Sequence, residues 1–375
     1  MNKTRLFFHN LEEVIKRTLI KVLFKKSPRI LPSEIEISKI RKILFVRQHD
    51  PLGDVLISTA MIPNIIKAFP GALIDVIARP QLSEKEIFTN NPAINEVIVF
   101  SKKEFFSPLR VLAFLRKLKS KKYDIAIVAG STSVSFTSLL LAYLSGAKIR
   151  AGYDGAYFGK KLYTDAFLTT PVPYDTSVIK HQVLRNIDIL RYLNISIANE
   201  EHYMFITGEE KEQAREIIKR SNFSGRMEGS IGMHLGANVL LNRWPVERFA
   251  ELSDYLTGEL KMKVIVFYGL KEQGLASQFK KLVKNQVLIQ EPLPLRQFAA
   301  LLSLLDVFVC NDTGVLHVAA AVGVKTVAVF GPTDPKQWNP LGNKHLWVRN
   351  IDESVFSVTL NQIILKIEEL LRLRP

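Results

Sequence analysis

The sequence contains a single cysteine, Cys310, among its 375 residues. One thiol excludes an internal disulfide framework and a zinc site built from several cysteines. The 19 glycines and 17 prolines are too few for a collagen-like or low-complexity chain. No stretch reaches the roughly 18 uncharged apolar residues that a membrane-spanning helix needs, and charged residues interrupt any cleavable signal at the N-terminus. We therefore expect a globular cytoplasmic protein, peripheral at most at the cytoplasmic face of a membrane.

Several familiar catalytic signatures are also missing. The chain has no Asp-x-Asp pair, which is the usual divalent-metal clamp for sugar nucleotides, and no Walker loop, nucleophile elbow or zinc-protease helix. The first strand-to-helix turn has no G-x-G-x-x-G fingerprint for a dinucleotide. Six histidines lack the spacing of metal ligands, and we expect them on surfaces or loops: His9, His49, His181, His202, His234 and His345. The sequence thus predicts neither a metal site nor a cofactor.

The charge is strongly positive, with 51 Lys and Arg against 36 Asp and Glu, a net charge of +15. Such a balance favours a polyanionic partner. Residues 1–42 hold eleven of these cations and only four acids, so the remaining chain carries about +8. No nucleic-acid-reading motif is present in that remainder, so we do not expect a nucleic-acid partner.

The basic N-terminal segment has apolar residues at helical spacing, which predicts an amphipathic helix over residues 5–26. Its apolar positions are Phe8, Leu11, Ile15, Leu19 and Val22. One interpretation is a helix that lies on an anionic membrane surface. The other is a helix that packs on the protein's own body. The pattern alone leaves both open.

From residue 42 onwards, short β-branched runs alternate with helical segments. The predicted strands are 43–46, 73–78, 96–100, 124–129, 230–235, 263–268, 307–310 and 326–330. Helices are predicted between them, including 55–69, while residues 153–178 look irregular. This alternation is typical of parallel sheets buried on both faces. Two series of similar size predict two doubly wound α/β domains that face each other.

In open sheets of this kind, ligands bind beyond the carboxyl ends of the strands. After the first strand, Gly53 permits close backbone approach and Asp54 lies at the start of a helix. A helix N-terminus favours the ionised form of a carboxylate, which suits a general base. The alternative for Asp54 is a simple helix cap.

The turn after strand 307–310 is a candidate diphosphate site. Asp312 or Thr313 is expected to cap the next helix, and Gly314 lets an anion approach the free N–H groups. His317 falls about one turn further on, on the same side as Thr313. An ordinary capped helix with a core histidine is the alternative interpretation.

Two further residues follow strands of the second series. Arg243 comes after strand 230–235 and is a candidate phosphate clamp. Glu272 follows strand 263–268, where a carboxylate can hold a ribose.

Together these motifs resemble glycosyltransferase family 9, the ADP-heptose–lipopolysaccharide heptosyltransferase family. They are L-G-D at 52–54, R-W-P at 243–245, N-D-T-G-x-x-H-x-A-A-x-x-G at 311–323 and F-G-P-T-D-P at 330–335. The resemblance covers roughly residues 41–345. It implies a GT-B fold, in which two Rossmann-like domains face each other across a cleft. It also implies an inverting, metal-independent transfer of a heptose from ADP-heptose to the lipopolysaccharide inner core or a related glycolipid.

The resemblance assigns roles by position. Asp54 matches the general base, Glu272 a ribose-contacting carboxylate, and Thr313, Gly314 and His317 the diphosphate-binding turn with Asp312. Two departures are evident. Asn242 stands where the family often has lysine, so either the cationic clamp has moved to the adjacent Arg243 or donor binding is weaker. The loop facing the acceptor is one residue longer than the common pattern, and it contains Arg47, His49, Asp50 and Gly53.

The resemblance and the basic N-terminal pattern together predict a domain organisation and a set of partners. Residues 1–40 form a basic amphipathic extension, 41–200 an acceptor-side domain, 201–355 a nucleotide-sugar-binding domain, and 356–375 a C-terminal helix that packs back. The expected partners are a nucleotide-sugar donor, a glycolipid acceptor and an anionic membrane surface. A non-catalytic sugar-nucleotide or glycolipid-binding module, and a transferase with another nucleotide sugar, remain as alternatives.

Overall fold

The computed structural model describes residues 3–48, 51–80, 82–101, 107–221 and 229–373. These residues form two six-stranded sheets in which every paired neighbour is parallel. Helices cover both faces of each sheet, as the buried, β-branched strands require. The prediction of two doubly wound α/β domains is confirmed.

The first sheet has the strand order β3-β2-β1-β4-β5-β6. Its strands are β1 (Lys42–Val46), β2 (Leu73–Ala78), β3 (Ile94–Val99), β4 (Ile125–Val128), β5 (Ile149–Tyr153) and β6 (Thr170–Val172). The helices from the N-terminus to the one that follows β6 are α1 (Lys3–Leu23), α2 (Leu52–Ser58), α3 (Met61–Ala68), α4 (Leu82–Phe88), α5 (Pro108–Ser120), α6 (Phe136–Leu144), α7 (Lys161–Phe167) and α8 (Gln182–Tyr192). The order reverses beside β1, so the turn after β1 lies at the topological switch point.

The second sheet repeats this order as β9-β8-β7-β10-β11-β12. Its strands are β7 (Ser230–His234), β8 (Lys263–Phe267), β9 (Leu288–Gln290), β10 (Val307–Asn311), β11 (Lys325–Val329) and β12 (His345–Val348). Its helices are α9 (Gly208–Arg220), α10 (Val246–Gly258), α11 (Gln273–Leu282), α12 (Leu295–Leu302), α13 (Gly314–Ala321), α14 (Pro335–Trp338) and α15 (Leu360–Arg372). The C-terminal helix α15 packs on α10 and on strands β10, β11 and β12.

The two domains share one continuous hydrophobic core. It runs from the α2 and α3 side of the first sheet to the α12 and α13 side of the second. The closest helix contact between the domains joins α2 to α13. The N-termini of these two helices therefore meet at the floor of the cleft.

One predicted helix is two helices. The prediction of a single helix over 55–69 is wrong, because α2 ends at Ser58 and α3 begins at Met61. The hydroxyls of Ser58 and Thr59 donate to the carbonyls of Val55 and Leu56, at 2.7 and 2.6 Å. Pro63 follows in the first turn of α3 and has no N–H to continue the ladder.

The prediction that residues 153–178 are irregular is also wrong. This segment contains α7 and the edge strand β6. Pro171 lies within β6, where a missing N–H is tolerated because only one side of an edge strand is paired. Tyr163 on α7 is fully buried in the core of the first domain.

Helix α1 packs on the first domain through a face that differs from the predicted apolar stripe. Ile20 is only 1% exposed, and the Phe24 ring packs edge-on against Phe167 at 5.1 Å. By contrast, Ile15 and Val22 of the predicted stripe are 50% and 76% exposed. Leu19 is also exposed, while the side chains of Phe8 and Leu11 lie outside those that the structure describes. Within its described residues, no helix combines the length and apolarity that crossing a bilayer requires.

Candidate functional site

A cavity of about 370 Å³ lies between the two domains, and we call it the cleft cavity. The first domain lines it with the start of α2, and the second with the turns after β7, β8 and β10. The lining residues are Pro51, Leu52, Gly53, Asp54, His234, Asn238, Gly269, Glu272, Asp312, Thr313, Gly314, Val315, His317 and Trp338. The cavity therefore brings Asp54 together with five of the six predicted donor-site residues.

Asp54 is the third residue of α2 and is half-buried at the cavity. Pro51 is the N-cap residue of α2. Because proline has no N–H, the Asp54 carboxylate three residues later cannot accept a hydrogen bond from the N-cap backbone, as it would in a capping box. The interpretation of Asp54 as a helix cap is therefore wrong. Arg47 supports the turn, because its Nη1 and Nη2 donate to the carbonyls of Ala129 and Asp54 at 3.0 and 3.2 Å.

The N-terminus of α13 opens into the same cavity. Thr313 occupies the cap position, but no side chain caps the helix, so the prediction of a cap by Asp312 or Thr313 holds for position only. Gly314 lies so close to the first domain that a Cβ there would be 3.5 Å from the Cβ of Leu52. The first N–H groups of α13 thus point, with the positive end of the helix dipole, toward the space beside Asp54.

Asp312 lies just behind this helix terminus. Burial raises its pKa, and a hydrogen bond with Thr333 offsets the effect only in part. The Nδ2 group of Asn242 donates to Asp312 at 3.3 Å and to Thr333 at 3.4 Å. Asn242 therefore supplies a neutral amide at the position where the family often has lysine.

His317 is buried between the two domains. Its ring stacks on that of His202, and Nδ1 of His317 is 3.0 Å from Nε2 of His202. A Cβ at Gly53 would lie 2.9 Å from Cδ2 of His317, so only glycine fits beneath this ring. Burial lowers the pKa of His317 to about 3 and holds that of His202 well below its ordinary value. Burial therefore favours the neutral form of both rings.

The histidine pair has a preferred proton arrangement. Nδ1 of His202 is buried and has no hydrogen-bond partner among the described residues. A buried acceptor tolerates this better than a buried donor, so the proton of His202 belongs on Nε2, from which it donates to His317. Nε2 of His317 then carries a proton, and this edge of the ring faces Gly53 and the cavity.

Glu272 lies where the cleft cavity meets a second cavity of about 410 Å³, which we call the side cavity. The Glu272 carboxylate accepts the Gly269 N–H at 2.7 Å and is 3.6 Å from Nε2 of His234. It covers Gly236, where a Cβ would lie 1.6 Å from a carboxylate oxygen. The side cavity continues between Phe267, Tyr268, Leu293 and Phe298, with the carboxylate of Glu291 at its edge. Aromatic walls with a few polar groups suit a nucleobase.

The structure does not bring Arg243 to either cavity. Its Nη2 donates to the carbonyl of Ala237 at 2.7 Å, which ties the loop after β7 to itself. The prediction that Arg243 clamps a phosphate is therefore not supported by its position. Trp244, in contrast, is fully buried in the core, as a structural residue should be.

Sequence reasoning also missed several site residues. The prediction that six histidines lie on surfaces or loops is wrong for His234 and His345, which lie in strands β7 and β12; His181 and His202 do lie in connecting segments, but all four are buried. His234 ends β7 and lines both cavities, so the rule about strand ends was sufficient to find it. His49 and Asp50 of the predicted acceptor loop lie outside the described residues, as does the side chain of His9.

Comparisons with known proteins agree with this geometry. A sequence profile of the family described as "Glycosyltransferase family 9 (heptosyltransferase)" matches residues 111–362. Lipopolysaccharide heptosyltransferase 2 of Salmonella typhimurium is 26% identical over 313 residues, which are 80% of this chain and 86% of that protein. A family 9 glycosyltransferase structure from Veillonella parvula matches with a TM-score of 0.77 at 24% identity, over 90% of this chain and 98% of that one. The Escherichia coli ADP-heptose lipopolysaccharide heptosyltransferase II structure matches with a TM-score of 0.71 at 24% identity, over 88% and 98%.

Proposed function

Since the chain belongs to glycosyltransferase family 9 and is a glycosyltransferase of GT-B fold, we propose that it transfers a heptose from ADP-heptose to a lipopolysaccharide inner-core sugar or a related glycolipid. The observation that carries this proposal is the cleft cavity, in which Asp54 of one domain faces the open N-terminus of α13 in the other. A relative named as a lipopolysaccharide heptosyltransferase supports the heptose and the acceptor class.

We propose that the donor occupies the two joined cavities in one orientation. The nucleoside occupies the side cavity with its ribose at Glu272, and the diphosphate lies against the first N–H groups of α13. The sugar then extends from the diphosphate toward Asp54. Thr313, Gly314 and His317 contact the diphosphate as hydrogen-bond donors, and Asp312 supports their turn.

The chemistry follows from this placement. Asp54 takes the proton from the acceptor hydroxyl as its oxygen attacks the anomeric carbon. The bond from that carbon to the diphosphate breaks on the opposite side, so the anomeric configuration inverts. Negative charge gathers on the leaving diphosphate, where preorganised N–H donors are worth a factor of about 10² to 10³ each in rate.

Asp54→Asn is the central test. An amide keeps the shape of the side chain but cannot accept a proton, so we expect transfer to fall by at least about 10²-fold with little change in ADP affinity. Transfer is measured as acceptor-dependent ADP release and ADP affinity by calorimetry. A variant with near-parental activity would show that Asp54 is not the base. Parental protein that binds ADP-heptose but transfers nothing to any acceptor would indicate a non-catalytic binding module.

We further propose that transfer requires no divalent metal, because the α13 terminus supplies the donors that face the leaving group. No cluster of three or more metal-ligating side chains occurs in the described part of the chain. The expected result is an unchanged rate in excess EDTA. Loss of activity in EDTA, with recovery on addition of Mg²⁺ or Mn²⁺, would contradict the proposal.

The enzyme is also proposed to work at an anionic membrane surface that carries its acceptor. Helix α1 leaves Ile15, Leu19 and Val22 exposed on one side. The exposed cations Lys21 and Lys25 lie near the C-terminal end of this helix, whereas Arg17 donates to the carbonyl of Gly159 on the domain. An amphipathic helix with basic flanks and exposed apolar residues binds anionic lipid through both contributions.

A further inference from the structure

The side cavity contains a carboxylate that the proposed ribose contact does not use. Glu291 lies at its edge, together with the exposed Lys271. Both residues line only the side cavity, whereas Glu272 lines the side cavity and the cleft cavity. The far end of the side cavity therefore has polar groups of its own, beyond the position proposed for the ribose.

The strand order places these groups in a line along the carboxyl edge of the second sheet. Neighbouring strands run β10-β7-β8-β9. The proposed diphosphate site follows β10, Glu272 follows β8 and Glu291 follows β9. Three strand spacings separate β10 from β9, which amounts to roughly 14 Å. A nucleoside diphosphate extends over a similar length, so a donor with its ribose at Glu272 points the far edge of its base toward Glu291.

The position of Glu291 is fixed by its neighbours. Pro292 follows it directly, and a residue before proline is restricted to extended backbone. The side chain of Gln290 donates from Nε2 to the carbonyl of Glu291 at 3.1 Å. Oε2 of Glu291 accepts the hydroxyl of Tyr268 at 2.5 Å, and Tyr268 is only 6% exposed. A buried ring that lines the same cavity thus orients the carboxylate.

One oxygen of this carboxylate is available to a ligand. Oε1 of Glu291 accepts no hydrogen bond from the part of the chain that the structure describes. The hydrogen bond to Glu291 and, second, burial raise the pKa of the Tyr268 hydroxyl, so that it remains a donor to Oε2. A carboxylate only accepts hydrogen bonds. It can accept the amino group of a base, but a keto oxygen in the same place would face it with no donor between them.

We infer that Glu291, positioned by Tyr268, selects a nucleobase that presents an amino group at its far edge. In the proposed donor this group is the 6-amino group of adenine. Hypoxanthine, guanine and uracil present a keto oxygen there instead and are rejected. The inference rests on the proposed function and deepens it, because it names the residue that separates adenine nucleotides from uridine and guanine nucleotides.

The test compares ADP with inosine 5′-diphosphate (IDP), which has a keto group at position 6 in place of the amino group. Calorimetry on the full chain measures both dissociation constants. We expect ADP to bind at least about tenfold more tightly, as one hydrogen bond to a charged group provides. Equal affinities would overturn the inference. Tighter binding of IDP or GDP would also overturn it, because Lys271 or another edge of the base would then decide the selection.

Glu291→Gln should change the two affinities in opposite directions. A glutamine amide accepts from an amino group or donates to a keto oxygen, so ADP should bind several-fold more weakly and IDP more tightly. Glu259→Gln is the matched control, since it removes an exposed carboxylate of the same domain that does not line the side cavity. This control should keep the preference for ADP. Equal weakening of both ligands by Glu291→Gln would show that Glu291 only supports the cavity, and this would overturn the inference.

Tyr268→Phe tests the positioning role. Phenylalanine keeps the aromatic wall of the cavity but removes the donor that orients Glu291. We expect the preference for ADP over IDP to fall several-fold, because the carboxylate is no longer fixed. An unchanged preference would overturn the positioning role of Tyr268.

These outcomes are separate from those of the transfer assay. A parent protein that prefers ADP, and loses this preference in Glu291→Gln, but transfers no sugar would contradict the proposed function alone. A parent protein that transfers heptose from ADP-heptose but binds ADP and IDP equally would contradict this inference alone.

Discussion

Gly236 shows how a single backbone position controls where the Glu272 carboxylate lies. The Glu272 carboxylate occupies the space where any larger residue would place its Cβ. Gly236→Ala should displace this carboxylate from His234 and from the ribose position, because a Cβ 1.6 Å from an oxygen cannot be accommodated. We expect weaker binding of ADP and of adenosine by a similar factor, since the change lies on the nucleoside side of the site.

Calorimetric titration with both ligands tests this prediction. Gly274→Ala is the matched control, because it makes the same substitution nearby in α11, where nothing lies within 4 Å of the new Cβ. A loss of affinity confined to ADP would instead place Glu272 at the diphosphate. Unchanged binding of both ligands would remove it from the site.

Individual site residues differed in how far the sequence could predict them. Asp54, Thr313 and Gly314 follow strands directly, so the strand-end rule placed them correctly at one cavity. His202 lies in the connection between the sheets, and only the tertiary fold brings it 3.0 Å from His317. Arg243 had the right charge and the right place in the chain, but a local bond to Ala237 turns its guanidinium into the loop.

Elements were predictable where their pattern was strong and continuous. Eight of the twelve strands in the described residues were predicted to within two residues, because their β-branched runs are distinct, whereas β5, β6, β9 and β12 were not predicted. The break between α2 and α3 depends on the combined effect of Ser58, Thr59 and Pro63. Hydrophobic periodicity does not detect such a break, because it considers only the spacing of apolar residues. The strand β6 was missed because Pro171 is acceptable only at an edge, and sheet position is not a local property.

Helix α1 gives the clearest element-scale test. The packed interpretation is confirmed for one face, where Ile20 and Phe24 contact the domain; the membrane interpretation stays a prediction for the face on which Ile15, Leu19 and Val22 are exposed. Replacing these three exposed residues with serine should leave folding intact but weaken binding to anionic vesicles by more than tenfold. A fully buried side chain of this size contributes roughly 1.5–3 kcal/mol.

Co-flotation with phosphatidylglycerol–phosphatidylcholine vesicles measures the effect. The difference from vesicles of phosphatidylcholine alone gives the electrostatic contribution to binding. Serine at Leu109 and Leu112 is the control, since these leucines are exposed on α5 of the same domain. If the α1 variant floats as well as the parent, the helix serves the fold but not the membrane.

At the scale of the whole molecule, four buried histidines lie close together at and beside the junction of the two domains. His181 at the start of α8 donates from Nε2 to the carbonyl of Asn339 in the second domain at 2.6 Å. His202, in the connection between the sheets, pairs with His317 on α13. His345 lies beside the hydroxyl of Thr326 at 3.0 Å. Burial lowers the pKa of all four rings, to about 3 for His317 and His345.

This arrangement makes the closed molecule acid-sensitive. The unfolded chain takes up protons near pH 6.5 and the folded protein does not, so stability is full above that pH and is lost as the pH falls toward 3. Each histidine that stays neutral in the fold should reduce the free energy of unfolding by about 1.4 kcal/mol between pH 7.5 and 5.5. Urea unfolding at the two pH values measures this loss of stability. The double variant His181→Gln with His202→Phe should lose less stability than the parent, by about the contribution of two histidines. An equal loss in parent and variant would show that other groups cause it and that the junction tolerates charge.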